Sequence, residues 1–169
     1  LARWQETYGG RLLIFLPDTY GTTQFLAEAP DWIADWTGLR IDSKEPFAGG
    51  EEAIAWWSAR GRDPRAKLIL FSDGLDTPTM VALHRHFQGR VRTGVGWGTL
   101  LTNDFRTCHP RGATDLDPIS LICKVTEASG RPAVKLSDND AKPTGPPDEI
   151  KRYRGVFGRA GITHRAVLV

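Results

Sequence analysis

The stretch that decides the fold is residues 68–87, LILFSDGLDTPTMVALHRHF. Its first four residues are apolar and predict a buried strand, which ends at the polar turn of residues 72–74. Thr77 and Pro78 predict the start of a helix, because a capping residue followed by proline is typical of a first helical turn. Apolar side chains then recur at helical spacing as far as Phe87. A strand followed directly by a helix indicates an α/β unit.

Similar units lie on both sides of this stretch. Apolar runs predict further strands at residues 12–16, 38–42 and 91–95, and helical patterns occupy residues 22–29 and 51–60. Acidic residues in the first turn and Gly61 after the last turn predict the bounds of the second helix. Alternating strands and helices predict a parallel sheet, either half of an α/β barrel or a small open α/β sheet. Composition and periodicity leave both architectures open.

Beyond residue 104 the pattern changes. The residues from 106 to 117 are polar and predict a loop. Residues 119–125 and 132–136 flank a Ser-Gly turn and predict a β-hairpin. A connector rich in proline and glycine at residues 140–147 then leads to a predicted helix at residues 148–157.

These patterns predict two parts. Residues 1–104 form half of an α/β barrel or a small open α/β sheet, and residues 105–169 form a loop, hairpin and C-terminal helix that complete or flank it. The chain starts at Leu1 without a methionine, and residues 3–6 read like the middle of a helix. We therefore expect an N-terminal domain that lies upstream and is absent from this chain.

The composition is that of one globular domain of 169 residues, 40% hydrophobic and 25% charged. A formal net charge of +2 is too small to indicate a nucleic-acid partner. Cys108 and Cys123 do not make a disulfide framework. We find no secretory signal and no apolar run that approaches the roughly 18 residues of a membrane helix. We expect a cytoplasmic protein with no membrane partner.

Polar residues and glycines follow each predicted strand at its carboxyl end. They are Asp18, Arg40, Asp42, Ser72, Asp73, Gly74, Gly96, Gly98 and Thr99. In a parallel sheet or barrel these strand ends lie on one face, and that face carries the active site. Four separate parts of the sequence should therefore meet in one site.

The residue types suggest what this site binds. Gly96 and Gly98 would let backbone N–H groups approach a phosphate closely, although a single glycine turn is a weak signal. Asp73 would accept hydrogen bonds from ribose hydroxyls or coordinate Mg²⁺, and Asp76 or the next residue would cap the following helix. Arg40 and Asp42 point to the same side of a strand, so they form either an internal ion pair or a site for an anionic or aromatic ligand and a sugar hydroxyl.

Other polar residues suggest less. Lys135 and Asp138 read as a charged strand end, and most such pairs are solvated. His84 and His86 do not share a helix face and make a poor metal pair.

The chain resembles bacterial nicotinate phosphoribosyltransferases in five ordered motifs. They are residues 16–22 (LPDTYGT), 38–43 (GLRIDS), 71–76 (FSDGLD), 96–104 (GWGTLLTND) and 134–138 (VKLSD). The likeness runs from about residue 12 to residue 157. It implies part of an irregular α/β barrel of the type II phosphoribosyltransferase kind. It also implies that nicotinate and 5-phosphoribosyl 1-diphosphate give nicotinate mononucleotide and diphosphate, with ATP hydrolysis, in NAD biosynthesis.

The resemblance also assigns roles to residues. Gly74, Gly96 and Gly98, with Ser72 and Thr99 beside them, would line the 5′-phosphate site. Asp42 and Asp73 would face ribose hydroxyls or Mg²⁺, Arg40 would lie over the pyridine ring, and Asp18 would lie near the reaction centre. The family's phosphorylated histidine belongs to an upstream motif that no histidine of this chain matches. The family forms its site with a neighbouring subunit, so we expect a homodimer of complete chains.

Two positions depart from the family pattern. Lys44 and Glu45 stand where the family commonly has glycine and aspartate. Lys44 would either contact diphosphate or change the geometry of the loop, which leaves the roles of Ser43 and Glu45 open. The alternatives to nicotinate transfer are a quinolinate or nicotinamide phosphoribosyltransferase, or a module that binds mononucleotide or phosphate without turnover. We expect the isolated chain to be inactive.

Overall fold

The structure, a computed structural model, describes residues 1–103, 105, 108–112 and 116–165. Its centre is a four-stranded sheet of β1 (Ile14–Phe15), β2 (Gly38–Ile41), β3 (Leu68–Phe71) and β4 (Arg92–Val95). The strands pair in chain order and all three pairs are parallel, which confirms the predicted parallel sheet. A doubly wound sheet reverses its strand order at a switch point, whereas a barrel adds strands in sequence. The observed order is therefore that of a barrel segment.

One helix precedes these strands, and the others connect the strands or follow them. They are α1 (Ala2–Tyr8), α2 (Thr22–Glu28), α3 (Pro46–Ala59), α4 (Thr77–Phe87), α5 (Thr99–Thr102) and α6 (Pro147–Phe157), with 3₁₀ helices at Asp31–Asp35 and Pro64–Ala66. Strands β5 (Glu127–Ala128) and β6 (Arg131–Pro132) form the antiparallel hairpin predicted around the Ser-Gly turn. Among the described residues, no helix has both the length and the apolar character needed to cross a membrane.

The two faces of the parallel sheet differ in burial. Leu39, Ile41, Ile69 and Phe71 are each at most 2% exposed and belong to the hydrophobic core formed with the helices. Arg40 alternates with these residues and is exposed on the other face. Right-handed crossovers carry successive helices to the same side of a parallel sheet, which explains why one face is covered. The other face is free to line a cavity.

Helix α3 begins earlier than the sequence suggests. The predicted start at residue 51 is wrong, because Glu45 caps the helix by accepting a hydrogen bond from the Ala48 amide (2.6 Å) and Pro46 occupies the first turn. The acidic residues that suggested a first turn lie in the middle of the helix. Gly50 is buried against α4, and a Cβ atom there would lie 2.3 Å from Phe87 Cζ. The close packing of α3 against α4 therefore leaves no room for a side chain at this position.

The region after α5 differs most from the prediction. The predicted strand at residues 119–125 is wrong, since these residues form no strand and Ile119 and Leu121 are 77% and 91% exposed. The predicted loop at residues 106–117 lies partly outside the described residues, as does Asp104 at the end of a motif. Strand β6 is shorter than predicted, and Lys135 instead forms an isolated antiparallel bridge with Thr144. The predicted C-terminal helix is confirmed as α6.

Side chains cap and join the helices of the core. Asp76 caps α4 by accepting a hydrogen bond from the Thr79 amide (2.8 Å), as predicted, and bonds from Thr79 lower the pKa of Asp76. Glu51 on α3 accepts hydrogen bonds from Arg90 (2.7 Å) and contacts the His86 ring nitrogen (2.6 Å). The bonds from Arg90 and then from His86 lower the pKa of Glu51 to about 2. This cluster links α3 to the end of α4.

Replacing Gly50 with alanine should destabilise the protein. The new Cβ would lie 2.3 Å from Phe87 Cζ, so we expect a loss of about 1–3 kcal/mol in the free energy of unfolding from overpacking. Gly155→Ala in α6 is the matched control: a Cβ there meets nothing within 4 Å, and we expect a gain of about 0.5–1 kcal/mol from helix propensity. Urea unfolding followed by circular dichroism measures both. A gain for Gly50→Ala would contradict the close packing.

Replacing Glu51 with glutamine should remove part of the acid dependence of stability. The pKa of Glu51 is lowered from 4.5 to about 2, so its stabilisation is present above 4.5 and is lost as the pH falls through about 2. We expect Glu51→Gln to be less stable than the parent at neutral pH, and the difference to shrink over this acid window. Glu127→Gln, on the exposed strand β5, serves as the control. A difference that grows on acidification would refute the cluster's role.

Candidate functional site

A cavity of about 1060 Å³ opens at the carboxyl ends of β2, β3 and β4. Eight predicted site residues lie in its wall: Arg40, Asp42, Ser72, Asp73, Gly74, Gly96, Gly98 and Thr99. Asp18 is not among the residues that line it. The structure thus brings together residues that are far apart in sequence, and it does so at the face where parallel sheets carry their sites.

Arg40, Asp42 and Ser72 form a hydrogen-bonded group in this wall. Arg40 donates from Nη2 to Asp42 Oδ1 (2.6 Å) and from Nε to Ser72 Oγ (2.8 Å), and Ser72 Oγ lies 2.8 Å from Asp42 Oδ1. The internal ion pair expected from the sequence is therefore present. Burial of Asp42 opposes its ionisation, but the bonds from Ser72 and Arg40 outweigh burial and lower the pKa of Asp42. The group holds a guanidinium plane and an ionised carboxylate at the cavity.

The turn after β3 holds Asp73 in an unusual backbone conformation. Asp73 has a φ of +75° and Gly74 a φ of +61°. A positive φ is uncommon outside glycine, although aspartate tolerates it better than most residues. The Asp73 carboxylate forms an ion pair with the ammonium group of Lys142, 69 positions away in the sequence. A strained residue at a cavity wall with a charged partner suggests that its position matters for binding.

The glycine turn after β4 leaves open space in the cavity and is followed by only a short helix. The Gly96 amide donates to Phe71 O (2.8 Å) and is therefore used by the sheet. A Cβ at Gly98 would meet nothing within 4 Å, so the absent side chain leaves the cavity open there. Helix α5 is a single turn of four residues. A helix this short adds little partial positive charge at its N-terminus.

Asp18 lies behind the cavity wall in a buried hydrogen-bond chain. It is 3% exposed and accepts from Ser43 Oγ (2.7 Å), and Ser137 Oγ donates to Ser43 Oγ (2.7 Å). Lys135, which does line the cavity, has its Nζ 3.7 Å from Asp18 Oδ2. Asp18 therefore reaches the cavity through the ammonium group of Lys135.

The solvated strand end expected at residues 135–138 is wrong. Asp138 is fully buried and accepts hydrogen bonds from the Thr22 amide (2.7 Å) and Thr22 Oγ1 (2.5 Å). Burial raises the pKa of Asp138, and the bonds from Thr22 act in the opposite direction. This segment is an internal link between the C-terminal part and the start of α2.

Lys44, which departs from the family pattern, is also a buried link. Its Nζ donates to Thr23 Oγ1 (2.6 Å) and to Glu52 Oε2 (2.5 Å), and its side chain is 10% exposed. Lys44 does not line the cavity. The structure therefore gives no support to the expected contact between Lys44 and diphosphate, and a change in loop geometry stays a prediction.

Sequence reasoning missed three cations in the cavity wall. Lys124, Lys135 and Lys142 line it together with Arg40. Lys135 lies in one of the family motifs, but Lys124 lies in the predicted strand of residues 119–125 and Lys142 in the predicted connector, and neither of these two stretches carries a motif. Within the described part of the chain, no histidine lines the cavity and no three His, Cys, Asp or Glu side chains are grouped to hold a metal ion.

Ser72→Ala should raise the pKa of Asp42. The substitution removes a hydroxyl 2.8 Å from Asp42 Oδ1, one of the groups that lower this pKa below 3.8, while burial continues to raise it. Carboxyl ¹³C NMR titration measures the change. Ser58→Ala, which removes a hydroxyl bonded to Ile54 O within α3, should leave Asp42 unchanged. An Asp42 that titrates at the same or lower pH in Ser72→Ala would contradict this account.

The chain is similar to known proteins over most of its length. A model of the nicotinate phosphoribosyltransferase (NAPRTase) family matches residues 1–160. The solved nicotinate phosphoribosyltransferase from Vibrio cholerae is 35% identical with a TM-score of 0.84, over 92% of this chain and 37% of that one. The one from Porphyromonas gingivalis is 31% identical with a TM-score of 0.80, over 93% of this chain and 40% of that one.

The chain thus spans 37–40% of the length of these two structures. Its α/β fold is that of part of an irregular α/β barrel, which resolves the choice that periodicity left open. The matched residues include every motif on which the resemblance rested. The chain belongs to the nicotinate phosphoribosyltransferase family.

Proposed function

We propose that this chain supplies the phosphoribosyl-binding part of an enzyme that joins nicotinate to 5-phosphoribosyl 1-diphosphate. The products are nicotinate mononucleotide and diphosphate, which feed NAD synthesis. One observation carries the proposal: the cavity at the strand ends places Arg40, Asp42, Asp73 and the glycine turn in a single wall. Arg40 suits an aromatic carboxylate, Asp42 and Asp73 suit a ribose, and the glycine turn suits a phosphate.

Arg40 is the residue that we assign to the pyridine end of the substrate. Its guanidinium is fixed by Asp42 and Ser72 and is about half exposed, with a side-chain exposure of 46%. A planar, permanently charged group can stack on a pyridine ring and attract the nicotinate carboxylate. Nicotinamide lacks that carboxylate, so the same position favours nicotinate.

In this proposal the sugar and its 5′-phosphate bind at the turns that follow β3 and β4. Asp42 and Asp73 accept hydrogen bonds from ribose hydroxyls, and the phosphate lies against the turn of residues 96–99. Because the Gly96 amide already donates to Phe71 O, the amides of residues 97–99 are the proposed phosphate donors. Gly74, Ser72 and Thr99 complete this side of the site.

The chemistry requires positioning and charge more than a reactive side chain. The bond from ribose C1 to the diphosphate oxygen breaks with its electron pair leaving on diphosphate, and the pyridine nitrogen forms the new bond to C1. The transition state has positive charge on the ribose, which the carboxylates of Asp42 and Asp73 stabilise. Holding the nitrogen in line with C1 supplies a large part of the acceleration. No covalent intermediate is needed.

Mg²⁺ fits this cavity as an ion carried by the substrate. Asp42 and Asp73 provide the oxygen ligands that Mg²⁺ prefers, but each already pairs with a cation, Arg40 and Lys142. We therefore propose that Asp42 or Asp73 would hold a Mg²⁺ ion brought by the diphosphate substrate, and that the ion would supply positive charge for the leaving group.

ATP coupling and a homodimer remain expectations from the family resemblance, and a cytoplasmic location remains an expectation from the sequence. Lys44, one of the two positions that depart from the family pattern, pairs with Glu52 outside the cavity and does not bear on them. His86, near the C-terminal end of α4, contacts Glu51 on α3, so we do not assign His86 to phosphate transfer.

We predict that the 169-residue chain binds nicotinate mononucleotide and releases no diphosphate from nicotinate and 5-phosphoribosyl 1-diphosphate. The reason is that it spans 37–40% of its solved relatives. Isothermal titration calorimetry measures binding, and a diphosphate-release assay measures turnover. Diphosphate release that depends on nicotinate would refute the second part. Binding of nicotinamide mononucleotide or quinolinate, but not of nicotinate mononucleotide, would refute the substrate assignment.

Arg40→Lys should weaken nicotinate mononucleotide binding by about tenfold, because lysine keeps the charge but loses the plane and the fork geometry. Binding of nicotinamide mononucleotide should fall by less. Arg152→Lys, on the surface of α6, is the matched control and should change neither affinity. Equal losses for the two mononucleotides would mean that Arg40 does not read the carboxylate.

A further inference from the structure

The turn at residues 139–145, which follows the buried segment of Asp138, lies over the cavity. Its residues Ala141, Lys142 and Pro143 belong to the cavity wall. Nothing in the family assignment or in the proposed function above gives this turn a role. Its side chains and backbone are held from several directions, which indicates a fixed element rather than a loose loop.

Three sets of bonds hold the turn. Thr144, near the end of the turn, forms paired backbone hydrogen bonds with Lys135, which precedes the buried segment (2.9 and 3.0 Å). Asn139 Oδ1 accepts from the Ala141 amide (3.0 Å), and Asp140 forms ion pairs with Arg154 and Arg159. These hydrogen bonds and ion pairs restrict the turn to few alternative conformations.

The turn carries Lys142 to the wall of the cavity. The Lys142 ammonium pairs with Asp73, and the Lys142 side chain is 15% exposed. Lys124 Nζ donates to the Lys142 carbonyl oxygen (3.2 Å), which brings a second cation to the same turn. An ammonium group has three donors, and a single carboxylate oxygen uses one of them. The others remain for a ligand in the cavity.

The charge balance of the wall favours an anion. The four basic residues Arg40, Lys124, Lys135 and Lys142 face two carboxylates, Asp42 and Asp73, so the described lining residues carry an excess of two positive charges. Arg40 is already paired with Asp42. Lys142 is paired with Asp73 and Lys135 lies 3.7 Å from Asp18 behind the wall, so the excess of the lining residues lies on Lys124 and Lys135, which share the wall with Lys142. Compact ammonium charges suit phosphate oxygens.

We propose that Lys142 binds a phosphate oxygen of the phosphoribosyl substrate, and that Asp73 acts as the positioning residue that holds the Lys142 ammonium in place. This inference rests on the proposed function. It gives Asp73 a second task besides the ribose: the carboxylate acts on the substrate's phosphate through Lys142. It also explains why Asp73 is kept at a positive φ of 75°.

Inorganic diphosphate and inorganic phosphate test this directly, because neither carries a ribose. We expect Lys142→Gln to weaken diphosphate binding by about tenfold in calorimetric titrations, and Lys142→Arg to stay within about threefold of the parent. Lys151→Gln, on the exposed face of α6, should leave the affinity unchanged. If Lys142→Gln does not fold, as judged by circular dichroism, Lys142→Met keeps the apolar stem and carries the same comparison.

Asp73→Asn separates positioning from simple charge. If only charge mattered, Asp73→Asn should strengthen diphosphate binding, because it removes the Coulomb repulsion between the carboxylate and the anion. Our proposal predicts the opposite, a loss of about tenfold, with no further loss in the double variant Asp73→Asn/Lys142→Gln. Unchanged or tighter binding of diphosphate by Asp73→Asn would overturn the positioning role.

Nicotinate mononucleotide distinguishes the two ends of the substrate and the two proposals. If Lys142→Gln loses affinity for diphosphate alone, Lys142 lies at the diphosphate end of the substrate. If the variant loses affinity for the mononucleotide and inorganic phosphate, Lys142 lies at the 5′-phosphate. Either result supports a phosphate-binding Lys142, and unchanged affinity for all three probes overturns it. If the parent chain binds none of the probes, the proposed function itself is wrong.

Discussion

The parallel pairing of β2 with β3 is the constraint on which the site depends. Its register places Arg40 beside Leu70 and Ile41 beside Phe71. The residues that follow each strand, Asp42 and Ser72, therefore emerge side by side and share a hydrogen bond of 2.8 Å. Because the sheet buries Ile41 and Phe71 under the helices, Arg40 and Asp42 are left on the opposite face, at the cavity. A slip of one residue would turn Arg40 into the core.

The sequence was sufficient where the determining interactions are local. Apolar runs and helix-capping residues located the four parallel strands and most helices, and strand ends located the cavity wall. The sequence was insufficient where a residue's structure depends on a partner that is distant in the chain. Helix α3 includes Gly50 because Phe87 needs the space, and residues 119–125 have the apolar side chains of a strand but no neighbouring strand in the described structure. Lys142 could not be found because its partner is 69 positions away.

A buried polar layer beneath the cavity joins the two parts of the chain. Asp18, Ser43 and Ser137 form one chain of hydrogen bonds, and Asp138 binds Thr22 at the start of α2. Buried polar groups are costly unless they are satisfied, so these contacts fix the C-terminal segment in one position. That position sets where the 139–145 turn lies over the cavity. Lys44 adds a buried ion pair with Glu52 to the same layer.

The central claim is that the cavity at the strand ends holds a phosphoribosyl group and its pyridine ring. A crystal structure of the chain with nicotinate mononucleotide tests it most directly. The account predicts the phosphate against the turn of residues 96–99, the ribose hydroxyls at Asp42 or Asp73, and the pyridine ring beside Arg40. A mononucleotide bound elsewhere on the chain, or bound in this cavity with its phosphate at Arg40, would contradict the account.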